Sequence, residues 1–413
     1  MKYIKLILII LLVGNIFFFS CEDWVQGLPA REDIIEDKVL IDTTDVTFLV
    51  NGIKANFSST VERSVYFGDL LGDQLIYGKD IAKDATFSSF DEIEKGEILL
   101  NNNSVDGLAD NLGELWFLSD DLIQRINNRM EPMSDNLKNF GLYNAYLYNG
   151  IACEIYAGFF GLEKDQGGGV LNSGPFIPSE AMYDTALAKF DKALDFATTS
   201  EEERLVHSLM ARCNLYQGDY DNAFAHAQQG LQDGDADLKA LYSNIADNYL
   251  WQQASSALRS QVIVDNRFAD YLAEDSSEAA RVMIEVLPED LNVTQGADTA
   301  KTFYLQTKYY SSSAPIPYIT WQENNLMLAE LAALHGKSGD PVALINAVRT
   351  SHGIPTLASV DEDVIIEERD KELFLTGQRL IDQRRFDLWH LPADTWHYLP
   401  IVERERNSND NID

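Results

Sequence analysis

The sequence predicts an all-α protein built of helical hairpins and interrupted by long irregular stretches. Two segments carry that expectation. In "MYDTALAKFDKALDFA" the apolar residues Tyr183, Ala186, Leu187, Phe190, Ala193, Leu194 and Ala197 recur at steps of three and four, which is one face of a helix. In "ERLVHSLMARCNLYQGDYDNAFAHAQQGL" one helix runs through Leu205, Leu209, Arg212 and Tyr216, the chain turns at Gly218 and Asp219, and a second helix runs through Ala223, Ala227 and Leu231. Alanines at the contact positions let the two helices approach closely, and Gly218 supplies the positive φ of a tight turn, so the unit is a tetratricopeptide-like hairpin. Strand-like alternation is scarce and short, as in "DVTFLV".

From the N-terminus, Lys2 and Lys5 precede an apolar run from Leu6 to Phe19 that is broken only by Gly14 and Asn15. The run is shorter than the roughly 20 residues a bilayer span needs and has the build of a signal peptide, residues 1–20. Ser20 stands directly before Cys21, the order in which a thiol takes a lipid and becomes the new N-terminus. An ordinary secretory signal with an incidental cysteine is the competing reading. Residues 21–45 hold Glu22, Asp23, Glu32, Asp33, Glu36, Asp37, Asp42 and Asp45 and form an acidic tether, leaving 46–413 as the folded domain. No second apolar run reaches spanning length, so the membrane is met through the N-terminal lipid only.

The 413 residues are 46% hydrophobic, ample for a large core, and carry a formal charge of −34. A field of that sign excludes nucleic acid and polyanionic polysaccharide as partners. Cys153 and Cys213 lie inside helical patterns; two buried thiols are expected, with one bridge between them as the alternative. The six histidines have no metal-ligand spacing. "DGDAD" at 233–237 places Leu238 where a calcium loop needs glycine, and "GKS" at 336–338 has Leu331 where a phosphate loop needs its first glycine. "GGG" at 167–169 reads as a flexible loop. With no nucleophile, metal or cofactor motif, the chain is expected to be neither an enzyme nor a cofactor protein.

Further helix pairs are expected at 115–130 with 137–160 and at 321–335 with 341–351. The irregular stretches fall at about 71–112, 163–179 and 262–318, and loops of that length are usually functional surfaces. Towards the C-terminus, Glu367 and Lys371 are four apart, while Arg379 with Asp382 and Asp382 with Arg385 are three apart. These spacings predict architectural ion pairs along helices.

The same region carries a set of motifs: Ala329-Glu330, Asn346 with Arg349, Glu368-Arg369 with Glu372-Leu373, then Gly377, Arg379 and Asp382, and finally "LPIVERERN". Together with "VYFGDLLGDQ" and "NAYLYNGIACEIYAGFFG" upstream, in order and spacing, they resemble the SusD/RagB family of outer-membrane nutrient-binding lipoproteins over nearly the whole chain. The resemblance implies a right-handed tetratricopeptide-like superhelix with long ligand-binding loops. It also implies cell-surface exposure on the outer membrane, a TonB-dependent transporter (SusC-like) as partner, and a neutral oligosaccharide as ligand. A peptide ligand of the RagB type, or a scaffold role in protein interaction, stays open beside it. Glu368, Arg369, Glu372, Gly377, Arg379 and Asp382 are expected to be structural.

The resemblance also implies an aromatic platform in the loop before the 115–130 helix, and "NNNSVDGLADN" has none. Ligand contacts are then expected from Tyr77, Phe87 and Phe90, from the amides Asn101, Asn102 and Asn103, and from Tyr271, Tyr309 and Tyr310, with core packing or loop anchoring the competing role of each aromatic. Successive tyrosines of an extended segment point opposite ways, so at most one of Tyr309 and Tyr310 should face a ligand.

Overall fold

In a computed structural model the described residues are 42–130, 132–294 and 301–412. The expected signal peptide, Cys21 and the tether up to residue 41 lie outside them. Residues 42–45 are the described part of a unit that ends at Asp45, and the body starts at Val46. In that unit the Asp42 carboxylate accepts from the Thr44 N–H and hydroxyl, both at 2.9 Å, opening a short 3-10 turn at Thr43–Asp45.

The body is mainly helical, as the periodicity predicts, with fourteen α-helices among the described residues and only small sheets. Helix α1 (Val46–Leu71) corrects the strand-like reading of "DVTFLV". Val46, Val50, Ile53, Phe57 and Val61 are buried at steps of three and four, whereas Phe48, which alternation would have placed with Val46 and Val50, is 55% exposed. The stretch at 71–112 is also more ordered than expected. It holds β1 (Leu75–Tyr77), α2 (Ser88–Glu94) and the first turns of α3 (Asn103–Asn128). Helix α3 starts twelve residues early because the Asn102 side chain caps it, accepting from the N–H groups of Ser104 (3.0 Å) and Val105 (3.2 Å).

Helix α4 (Asp135–Phe159) packs against α3 and then against α5 (Ser179–Leu194). Gly150 is what lets α5 close on α4, since a Cβ there would stand 2.6 Å from the Phe190 ring. Between these helices, β2 (Phe160–Glu163), β3 (Gln166–Val170) and β4 (Phe176–Pro178) build a small sheet, so "GGG" is strand rather than flexible loop. The glycines admit neighbouring rings: a Cβ on Gly167 would lie 2.4 Å from Tyr398, and one on Gly169 2.5 Å from Tyr156. The predicted hairpin follows as α6 (Ser200–Gln217) and α7 (Tyr220–Ala227), with Gly218 left-handed at φ 79° and a capping box of Thr199 and Glu202 opening α6. Cys153 and Cys213 are buried free thiols.

Among the described residues the stretch at 262–318 is likewise built, not loose. After β5 (Leu238–Ala240) and α8 (Tyr249–Gln253) come β6 (Val262–Val264), α9 (Arg267–Glu274), β7 (Ile284–Val286), β8 (Tyr304–Gln306) and β9 (Ile316–Ile319). Strand β6 joins β1 antiparallel, Leu75 opposite Val264, in a sheet of order β1-β6-β8-β7. The pair α10 (Trp321–Leu334) and α11 (Pro341–Ser351) matches expectation, and α12 (Glu362–Glu372) and α13 (Arg379–Arg385) carry the charged motifs. The chain ends with β10 (Leu399–Pro400), parallel to β2, and α14 (Glu403–Ser408).

The motif residues form buried ion networks that fasten α12 and α13 to the rest. Arg369 donates to Asp382 at 2.8 and 3.0 Å, and Arg385 to Glu330 at 2.8 and 3.0 Å. Arg349 pairs with Glu368, and Arg281 lies 2.7 Å from Glu278 and 3.5 Å from Glu372. Lys371 pairs with Glu367 and Arg385 with Asp382, as the spacing predicts. Arg379 does not pair with Asp382; it reaches Asp73 at 3.0 and 3.1 Å, because Asp382 is already held by Arg369 and Arg385. Gly377, at φ 80°, gives its N–H to both oxygens of buried Asp69.

Candidate functional site

The loops around β1, α2 and α8, together with helix α1 behind them, bring three rings and two guanidinium groups together. Phe87 stands just before α2 with extended backbone and a ring 36% exposed. The N–H groups of Thr86 and Phe87 both donate to the Gln261 side chain, at 2.9 and 3.2 Å, and Gly78 N–H donates to the Gln261 carbonyl at 3.0 Å. One buried glutamine therefore fixes the approach to Phe87, whose ring meets Phe90 edge-on at 5.3 Å. The Arg259 guanidinium lies 5.6 Å over its centroid.

Next in the strip, Tyr249 opens α8, half-buried and edge-on to Tyr66 at 5.1 Å, with Arg63 4.9 Å over its ring. Arg63 comes from α1 and approaches α3 where Gly107 offers no side chain; its Nε has no hydrogen-bond partner. Beneath Tyr249, the buried Glu62 carboxylate accepts the Tyr249 N–H at 2.9 Å. Burial pushes the Glu62 carboxyl up to about 7 and Asp247 adds to it, against the Tyr249 hydrogen bond and the Arg63 charge. Asn248 continues the strip to the 311–314 segment, donating through its N–H to Ser312 at 2.8 Å and through its side chain to Ala314 at 2.8 Å.

The structure divides the residues proposed from sequence. Phe87, Asn101, Asn103 and Tyr310 have surface to offer, Tyr310 being 78% exposed. Tyr309 is the buried member of its pair, its hydroxyl donating to the Leu375 carbonyl at 2.7 Å. Phe90 and Tyr77 are also buried, and Asn102 is spent on capping α3 and on donating to Ser89 and Glu92. These four have no surface on which to meet a ligand, because each completes the core or a helix end. Tyr271 is half-buried in the ion network, donating to Asp370 at 3.2 Å with Lys371 4.5 Å over its ring. Arg63, Tyr249 and Arg259 were missed from sequence. The one signal in the sequence was the aromatic pair Tyr249 and Trp251 inside "ADNYLWQQ".

Flat rings, guanidinium donors and nearby amides can stack on apolar faces and bind hydroxyl groups. No protein-family model matches this chain, and no curated protein matches it. Solved structures do. A SusD superfamily protein from Bacteroides thetaiotaomicron VPI-5482 superposes with a TM-score of 0.74 at 16% identity, covering 90% of this chain and 99% of the other. A SusD superfamily protein from Bacteroides vulgatus ATCC 8482 gives 0.71 at 17% identity over 90% and 98%. Surface glycan-binding protein A from Bacteroides thetaiotaomicron, in complex with laminarihexaose, gives 0.70 at 14% identity over 90% and 98%. Over nine-tenths of its length, then, the chain has the fold of the SusD superfamily.

Proposed function

We propose that this protein is a non-catalytic, lipid-anchored glycan-binding protein of the cell surface that captures an oligosaccharide and passes it to a TonB-dependent outer-membrane transporter. The observation that carries the reading is the strip of Phe87, Arg259, Tyr249 and Arg63, in which the exposed Phe87 ring and the exposed Arg259 guanidinium lie together on a loop face and Arg63 backs the Tyr249 ring from α1. Support comes from neighbours of the same fold, one described as a laminarin-binding SusD-like protein and one solved with laminarihexaose. No helix among the described residues is long and apolar enough to cross a membrane; the proposed attachment through Cys21 rests on its place behind the apolar run Leu6 to Phe19.

Calorimetric titration with laminarihexaose and a panel of neutral oligosaccharides and peptides tests the reading. Phe87→Ala, Arg259→Ala and Tyr310→Ala are expected to weaken binding of the glycan that the parent takes, Phe87→Ala most, by about 1 to 3 kcal/mol where ring stacking dominates, with little change in melting. Tyr309→Ala is expected to lose stability first. Parent-like affinity in all three surface variants would move the ligand face elsewhere, and release of reducing ends would make the protein an enzyme.

The anchor has its own test. Cys21→Ala is expected to leave the body folded and release it from the membrane fraction. A mature N-terminus without lipid in mass spectrometry would remove the anchor from the proposal.

A further inference from the structure

A second cavity, of about 330 Å³, opens between α3, the end of α4, the β3–β4 turn and the C-terminal segment, and it shares no side chain with the loop strip. Trp116, Phe117 and Tyr156 contribute rings to its wall, and Asp110, Asn172 and Arg404 contribute polar groups. Arg404 and Asp110 form an ion pair on the surface, each side chain more than half exposed.

Three features around this cavity cost stability. Gly113 sits in the middle of a 26-residue helix, where glycine is unfavourable, yet a Cβ there would meet only the Tyr156 hydroxyl, at an ordinary 3.7 Å. Gly107 of the same helix, by contrast, is crowded by Arg63 at 3.3 Å. The turn after β3 holds two non-glycine residues left-handed, Asn172 at φ 50° and Ser173 at φ 51°, closed by Gly174 N–H to Leu171 at 2.9 Å. The C-terminal tail pins it there, Asn409 donating to Gly174 at 2.8 Å and Asn411 to Ser173 at 3.0 Å. The Trp116 indole N–H is buried without a hydrogen-bond partner. A missing side chain and a strained polar turn border the void, and the unpaired indole nitrogen of Trp116 lies buried behind its wall.

We infer that the cavity lined by Gly113, Trp116, Tyr156 and Asn172 is a second carbohydrate subsite that takes one uncharged pyranose ring. The rings suit the apolar face of a sugar, and the donors and acceptors beside them suit its hydroxyls. The volume lies at the lower end for ligand pockets and fits one ring, not a chain. The cation at the rim is already paired with a carboxylate, so no charge is left for an anionic ligand to match.

The test follows the Trp116 indole N–H resonance by NMR, assigned by its loss in Trp116→Phe, while glucose, galactose, mannose and xylose are added singly at millimolar concentration. A saturable shift with at least one sugar is expected. It should vanish in Gly113→Leu, which fills the cavity and melts no lower than the parent, and persist in Phe87→Ala. No saturable shift with any of the four, persistence in Gly113→Leu, or loss in Phe87→Ala would each overturn the subsite. Should Gly113→Leu fail to fold, Phe117→Ala carries the same arm, since its ring is 57% exposed. Failure here leaves the loop strip untouched, because that reading stands on its own oligosaccharide titration.

Discussion

Asp382→Ala is expected to lower the free energy of unfolding by about 3 to 5 kcal/mol, among the largest effects a single substitution in this protein can have. Its carboxylate takes both donors of Arg369 and one from Arg385 at 3.1 Å. Both arginines also face Glu330, which is wholly buried. Removing Asp382 leaves the fully buried Arg369 and the largely buried Arg385 facing one carboxylate, so an excess positive charge is stranded where burial is costly. An exposed pair would cost far less. In urea the variant should unfold at a lower midpoint with an unchanged slope, and its ligand affinity per folded molecule should match the parent's. An unchanged midpoint with abolished binding would make Asp382 part of the site instead of its scaffold.

Glu62→Gln should produce a large pH effect, and in the stabilising direction. The folded protein holds the Glu62 carboxyl up to about 7, above its ordinary 4.5, chiefly through burial. The folded state therefore keeps a proton that the unfolded chain has already lost, and stability falls as pH rises between those two values. Below the lower value both states are protonated and the penalty is absent; above the upper it is complete, on the order of 3 kcal/mol. An amide keeps an acceptor for the Tyr249 N–H and cannot ionise. Melting curves should coincide for parent and variant in acid and separate through neutrality, with the variant higher at pH 8. The groups that face Glu62 are Arg63 and Asp247, and neither variant nor parent changes them. Parallel pH profiles would show that the carboxylate is solvated after all.

The helical hairpins were legible because amphipathic spacing over sixteen or more residues has one interpretation, and Gly218 and the Pro341 start punctuate it. "DVTFLV" was not, since six residues cannot separate a period of two from one of three and four. The glycines at 167–169 were misread because their purpose lies in Tyr156 and Tyr398, rings supplied by other segments. Ion pairs were read correctly where the partner sat on the same helix, as for Glu367 with Lys371, and wrongly for Arg379, whose partner Asp73 lies 306 positions away. The loop strip was half visible for the same reason. Phe87 sits in an evident loop, but Arg63 lies inside a helix and Tyr249 is joined to its neighbour Glu62 only across 187 residues.

The fastening of the end of α1 has a consequence in time. Gln74 bonds Asp370 across 296 residues, Asp69 receives Gly377 across 308, Asp73 holds Arg379 across 306, and the Gly72 carbonyl accepts from Gln383 across 311. Such closures are the slowest that a chain can make, because loop entropy must be overcome before they return anything. A chain delivered from its N-terminus keeps the far end of its first helix unsealed until nearly all of it has arrived. Contact order thus works as a delay: the first helix stays unlocked while most of the polypeptide is being made, and a segment from near the other end is the one that locks it.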